Sequence, residues 1–276
     1  MQALYQVNRF ITVDTLGEEQ LLAKSILTST DFEAVGQLIT DQSSLRIEQA
    51  RWAIYRSPGN RLNGGQELPG LKGVEAYLNS GKELTRLVGQ EAGGLPRELL
   101  AECVRGIVQA ESFIFKKRGF PAPQAYEDHW DRGYLSTCRY YSNLELGLRR
   151  WYDHIGYCER SQNLYNRSKS CTVCRQDDGG LTASGSFIDS FHEIFVQLTL
   201  DSNGIAAGCS VNYLRAPDPV CAESSEHIVK LIGKDMTQLK KKGIGNLVGG
   251  AQGCEHLVDI IYDLSRAVIH VLGESD

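Results

Sequence analysis

The chain has 276 residues, 42% of them hydrophobic and 23% charged, with a formal net charge of -5. That is the composition of a folded, water-facing protein of about two domains, and it excludes a disordered or membrane-spanning class. The acidic balance argues against a nucleic-acid partner, because phosphate binding leans on Lys and Arg; the main basic cluster, Lys240-Lys241-Lys242, reads as a solvated helix face.

The first residues, MQALYQVNRFITVD, lack the continuous apolar run of a signal peptide. No apolar stretch reaches the ~18–20 residues of a membrane span. Both observations predict a cytoplasmic chain with no membrane partner. Eight cysteines are then notable, since reducing compartments use cysteine for metal and redox chemistry rather than for disulfides.

In chain order, SILTSTDFEAVGQLITD (25–41) predicts a strand, followed by a turn at Ser43-Ser44 and a second strand ending in IYRSP (54–58). A polar loop, SPGNRLNGGQELPG (57–70), leads towards a helix over ELLAECVRGIVQAESFIF (98–115), which carries Cys103. KKRGFPAP (116–123) breaks that helix. The segment to about 165 is rich in Tyr, Trp and Arg and predicts one or two helices offering an interface. It holds His129, Cys138, His154 and Cys158, of which the last two would share a helical face.

The remainder repeats the first order. Cys171-Thr-Val-Cys174 has the C-x-x-C spacing of zinc knuckles and redox pairs, but SKSCTVCRQDDGG predicts a strand entering a turn, which sends the two cysteines to opposite sides and makes a metal or redox pair the lesser reading. GSFIDSFHEIFVQLTLD (185–201) matches 25–41 without gaps at Glu33/Glu193, Gln37/Gln197, Leu38/Leu198 and Asp41/Asp201. A turn at Asn203-Gly204 and the word YLRAP (213–217) follow, then RAPDPVCAESSEHIVKLIG and a final helix over AQGCEHLVDIIYDLSRAVIHVL (251–272).

This order predicts an internal duplication. The fold class is α+β, with two related lobes, 1–115 and 166–276, each an antiparallel sheet with helices on one face. A helical bridge over 116–165 would join them. Alternation places Ile188, Ser190, His192, Ile194, Val196, Leu198 and Leu200 on the side facing the helices, with Phe187, Asp189, Phe191, Glu193, Phe195 and Gln197 opposite. In the final helix Cys254, Leu257, Val258, Ile261, Leu264, Val268, Val271 and Leu272 form the apolar stripe, with His256 off it.

Cys254 is the main candidate for chemistry. A cysteine in a helix's first turn feels unpaired N–H groups and the positive end of the dipole, which favours thiolate; a small core residue is the plain alternative. Cys221 also sits near a helix start, and His192 is read as pointing inward. Two thiolates and an imidazole suit zinc, iron or an iron–sulfur cluster, so His192, Cys221 and Cys254 are the expected ligands, with Asp189 or His256 as support. Aligned on cysteine, CVRGIVQA faces CEHLVDII, yet the first half has no counterpart to Cys221 and has Phe32 in place of His192. Its site reads as lost. GIGNLVGG (243–250) does not match a phosphate loop, and no G-x-S-x-G or H-E-x-x-H is present.

The words RAPDPVC and GCEHLVDII resemble a bacterial family of unknown function whose members carry "AP-x-PVC" followed by "GC-x-HL". The C-terminal half is also distantly similar to iron–sulfur scaffolds of the IscU and NifU type. That resemblance implies Cys221 as the cysteine after the hairpin and Cys254 as the one opening the last helix. It departs from the pattern at Ser190, where a cysteine is expected, at His192, where an aspartate is, and at Gly253, where a histidine is. The function expected is metal or iron–sulfur binding, for handling or delivery to a protein partner (a cofactor acceptor or enzyme subunit). The alternatives are an enzyme using that centre, or Cys254 as its nucleophile, between the lobes, and a structural subunit without a centre.

Overall fold

The structure, a computed structural model, describes residues 1–156 and 160–273. Its strands are β1 (Gln2–Leu16), β2 (Gln20–Ser29), β3 (Glu33–Asp41), β4 (Ile47–Arg56), β5 (Gly64–Glu67), β6 (Asn163–Arg175), β7 (Leu181–Asp189), β8 (Glu193–Leu200) and β9 (Ala206–Arg215). The helices are α1 (Gly81–Val88), α2 (Leu95–Ile114), α3 (Pro123–Gly133), α4 (Trp151–Ile155), α5 (Pro219–Ala222), α6 (Lys241–Val248) and α7 (Glu255–Gly273). The nine strands form a sheet in the order β5-β4-β3-β2-β1-β6-β7-β8-β9, giving a mixed α/β fold. The pairs β2–β3, β3–β4, β4–β5, β7–β8 and β8–β9 are antiparallel. No described helix is long and apolar enough to cross a membrane.

The chain divides into two compact units, one of Met1–Val7, Glu127–Tyr157 and Lys169–Asp276, the other of Asn8–Tyr126 and Cys158–Ser168. The expected boundaries at 115 and 165 are not those of the units. The aromatic segment after Glu127 packs with the C-terminal elements instead of standing as a separate bridge.

In the unit of Asn8–Tyr126, α2 covers the β2–β3 hairpin. Its Leu99, Leu100, Cys103 and Ile107 are fully buried, as are Leu21, Ala23 and Leu38 of the strands. The helix approaches closely over Gly36, where an added Cβ would lie 2.7 Å from Leu99 Cβ. Cys103 belongs to this core, its thiol donating to the Gly36 carbonyl at 3.4 Å.

In the other unit α7 buries Leu257, Val258, Ile260, Ile261, Leu264, Ala267 and Val268, much of the stripe its 3.6-residue period predicts. At ~1.5–3 kcal/mol per fully buried large side chain, this face is the main reason the helix forms here. Ile194, Val196, Leu198 and Leu200 of β8 are buried, as alternation predicts. β7 is not as predicted: Phe187 and Asp189 are inside, and Ile188 is 40% exposed. The stretch 185–201 is two strands, not one. A tight turn at residues 190–192 resets the alternation, so the residues before it have the opposite parity.

The two units use the same local devices. β3 and β8 begin at Glu33 and Glu193, α1 and α6 at Gly81 and Lys241, α2 and α7 at Leu95 and Glu255, each pair 160 residues apart. Bulges fall between Glu33/Ala34 and Ile39/Thr40 in one unit, and between Glu193/Ile194 and Thr199/Leu200 in the other. Arg56 donates to the carbonyls of Ser29, Thr30 and Phe32 at 2.7–3.2 Å. Arg215 does the same to those of Asp189, Ser190 and His192 at 2.6–3.3 Å. At this 160-residue offset Cys254 falls opposite Gly94 and not opposite Cys103, which lies nine residues further on, within α2.

Because one guanidinium satisfies three turn carbonyls, Arg215→Ala should cost about 2 kcal/mol in urea denaturation. Arg215→Lys should recover only part of that, since an ammonium cannot span the same fork.

Candidate metal centre

The β7–β8 turn is built by Asp189. Its Oδ1 accepts the backbone N–H groups of Phe191 at 2.8 Å and His192 at 2.6 Å, while its own N–H donates to the His192 carbonyl at 2.8 Å. Short Asp side chains favour such turns because they mimic the backbone. The same Oδ1 lies 3.3 Å from Nδ1 of His192, and both residues are buried. From the other side α4 holds the turn. Trp151 packs edge-on against the fully buried Phe191 with ring centroids 4.6 Å apart, and His154 Nε2 lies 3.2 Å from the Phe191 carbonyl. Burial, chiefly, holds the His154 pKa below its usual value, with the nearby His192 acting the same way.

The second wall is the start of α7. After α6 the chain doubles back so tightly that a Cβ at Gly253 would sit 2.1 Å from the Val248 carbonyl oxygen. That close approach requires glycine just before the cysteine. Cys254 donates its N–H to that carbonyl at 2.9 Å, and its own carbonyl accepts from Val258 at 3.0 Å, so it stands at the helix cap. One residue into the helix, the His256 ring lies with its centroid 3.9 Å from that of His192 and 5.0 Å from that of Phe187. His256 Nδ1 is 3.9 Å from Cys254 Sγ. Ligand-capable atoms of Asp189, His192 and His256 all lie within 4.8 Å of one another. Bonds of ~2.0–2.3 Å to a common ion put donors roughly 3–4 Å apart, so this group is close to a metal-binding arrangement.

The third wall is β9 and α5. Tyr213 is in hydrogen-bond contact with Cys254 and lies 2.8 Å from Ser224 Oγ, which donates to the Cys221 carbonyl at 2.7 Å. Cys221 packs with Val220 and Tyr140. Its short helix is capped by the buried Asp218, which accepts from Val220 N–H at 2.9 Å and from Leu148 and Arg149 N–H at 2.6 and 2.9 Å.

The expectation of thiolates at these helix starts is overturned. Burial pushes Cys254 up to about 11 and Cys221 up to about 12, with the charge of Cys254 raising Cys221 further. Desolvation exceeds the helix-end effect, and both groups are neutral thiols at pH 7.

Of the expected site residues, Asp189, His192, His256 and Cys254 come together at this point. Cys254 and Cys221 both stand outside the 4.8 Å group: Cys254 Sγ is 3.9 Å from His256 Nδ1, and Cys221 is close enough to Cys254 for their charges to interact. Asp189 and His256, read as support, sit in the middle of the group. Tyr213 was missed, since a Tyr on a strand gives no spacing signal. Cys171 is buried and Cys174 half-buried on alternating sides of β6, so they form no chelate. Cys209 donates to the Ile228 carbonyl at 3.2 Å. Cys158 lies outside the described residues.

The geometry defines an α/β domain with a His/Asp/Cys cluster at a hairpin turn and a helix start. Residues 165–270, which span β6 to α7 and all of that cluster, match a family model described as "Protein of unknown function (DUF2889)". No curated protein matches the chain.

Neutral, buried thiols should react slowly. At pH 8, iodoacetamide should modify half-buried Cys174 before Cys221 or Cys254, read by peptide mass spectrometry. Cys254 should accelerate as pH approaches about 11; preferential modification of Cys254 at pH 7 would show an activated thiolate instead.

Proposed function

We propose that the unit containing α7 binds a transition-metal ion or a small iron–sulfur cluster at the start of that helix, and that the protein handles the cofactor for, or delivers it to, a protein partner. The observation that carries this reading is the meeting of Asp189, His192 and His256 within 4.8 Å, with the Cys254 thiol against His256. His192, Cys221 and Cys254 are the ligands in this reading, and Asp189 and His256 add an oxygen and a second nitrogen donor. Sulfur and imidazole donors together favour zinc, iron or iron–sulfur chemistry over hard cations.

The raised thiol pKa values bear on the reading. Metal must displace the Cys254 and Cys221 protons, so binding releases protons and affinity should rise with pH through the neutral range. The likeness to IscU and NifU scaffolds supports the same location, with Ser190 and Gly253 marking a divergent relative. The shared spacing and turn devices support an internal duplication in which one copy lost its site. Phe32 and Gly94 stand where the other copy has His192 and Cys254. The stoichiometry expected is therefore one centre per chain.

A second reading rests on a cavity of about 470 Å³ in the same unit, lined by Glu127, Asp131, Tyr140 and Trp151 among others. Tyr140 also packs against Cys221. That volume suits a small molecule, and in this reading the centre acts as a Lewis acid on a substrate held there.

Protein purified anaerobically should carry near-stoichiometric zinc or iron, with labile sulfide and visible absorption if a cluster is present. Cys254→Ser and His256→Gln should each lose most of it while remaining folded by far-UV circular dichroism. Folded protein that stays metal-free after reconstitution with zinc, or with iron and sulfide, would overturn the reading.

A further inference from the structure

β9 is the last strand of the sheet, ten residues long and paired with β8 alone. Alternate residues of such an edge strand turn their N–H and C=O groups away from the sheet, ready to pair with another strand. Ala206, its first residue, is held by backbone bonds to Gly233 and Lys234. Among the described residues, no bond outside the β8 ladder reaches the backbone of residues 207–214. Glu223–Leu231 packs on the inner side, where Ser224 meets Tyr213 and the Ile228 carbonyl accepts from Cys209. Ser210 and Asn212, on the opposite side, stay exposed. The corresponding strand of the other unit is covered. β4, bulged in the same two places, takes β5 on its edge, with residues 51–54 paired antiparallel to it. Bulges of this kind therefore leave the span between them free to pair.

Natural sheets blunt open edges with charged side chains or proline. β9 reads AAGCSVNYLR, with no proline and a single charge at its end. That charge, Arg215, is engaged on the carbonyls of the β7–β8 turn. We infer that β9 pairs antiparallel with β9 of a second copy of this chain, across a two-fold axis at Val211, joining two sheets into one. A two-fold contact sets a strand against itself in reverse, so the strand must be complementary to its own sequence. About Val211 it is. Asn212 meets Ser210 on the exposed side, a pair of hydrogen-bonding side chains of the kind that stabilises cross-strand contacts. Tyr213 meets Cys209 on the inner side, large against small. Arg215 falls opposite Ala207, so no like charges are brought together. The pairing uses none of the candidate metal ligands and stands or falls apart from the metal-binding reading.

Sedimentation equilibrium of the full chain reads the pairing directly. At ~50 µM the wild type should be a dimer, twice the 30.6 kDa of one chain, and should dissociate on dilution. Asn212→Lys and Asn212→Asp each set two like charges beside the axis, and each should weaken the dimer at least about tenfold. Mixed in equal amounts, the two variants should regain a dimer, because opposite charges then meet. Tyr55→Lys, at an exposed position of β4, should match wild type. In unmutated protein, the amides of residues 207–214 should exchange more slowly at ~50 µM than at ~1 µM, which keeps the test open should a variant misfold. A wild type that stays monomeric up to ~100 µM would overturn the inference. So would a dimer that neither Asn212 variant weakens.

Discussion

The candidate site depends on one buried carboxylate. Asp189 closes the β7–β8 turn through two backbone N–H groups, and that turn is what presents His192 to His256. A buried carboxylate is costly unless its hydrogen-bonding capacity is met. Here the turn N–H groups and the His192 ring meet it, while Arg215 satisfies the turn's carbonyls from outside. Where the other unit has Ser29 at this position, the Ser29 hydroxyl caps the same turn, accepting from Asp31 and Phe32 N–H. The turn therefore does not need an acid. The acid adds an oxygen donor beside two imidazoles.

Electrostatics then separates two uses of the cysteines. A nucleophile must be a thiolate near neutral pH, and burial drives Cys254 and Cys221 the other way. A ligand has no such requirement, because the metal supplies the driving force for proton loss. The raised thiol pKa values weigh against attack by Cys254 at neutral pH and are compatible with the ligand role proposed for it. Tyr213 and Ser224 link the cysteines by hydrogen bonds and fix their spacing without contributing a charge of their own.

Much of the unit containing α7 was legible in the sequence, and the failures have physical causes. The period of α7 and the alternation of β8 follow from burial on one face, which leaves a direct trace in residue order. The face of β7 did not follow. A three-residue turn inside an apparently continuous strand shifts parity, and Asp189 marks it only through a side-chain-to-backbone bond. Cys221 and Cys254 were readable because each stands at a helix start. Cys138 packs against Tyr140, Val220 and Cys221, and Arg139 beside it bonds Gln252, long-range contacts that leave no trace in residue order. The two long helices are aligned on cysteine in the sequence, whereas the regular 160-residue spacing of element starts sets Cys254 opposite Gly94.

The central claim is that sulfur and imidazole from the start of α7 bind a metal together. X-ray absorption at the zinc K-edge of the anaerobically zinc-loaded full chain tests it most directly. A mixed shell with sulfur near 2.3 Å and nitrogen or oxygen near 2.0–2.1 Å, losing sulfur in Cys254→Ser, is the predicted result. A shell of oxygen and nitrogen alone, unchanged in that variant, would contradict it.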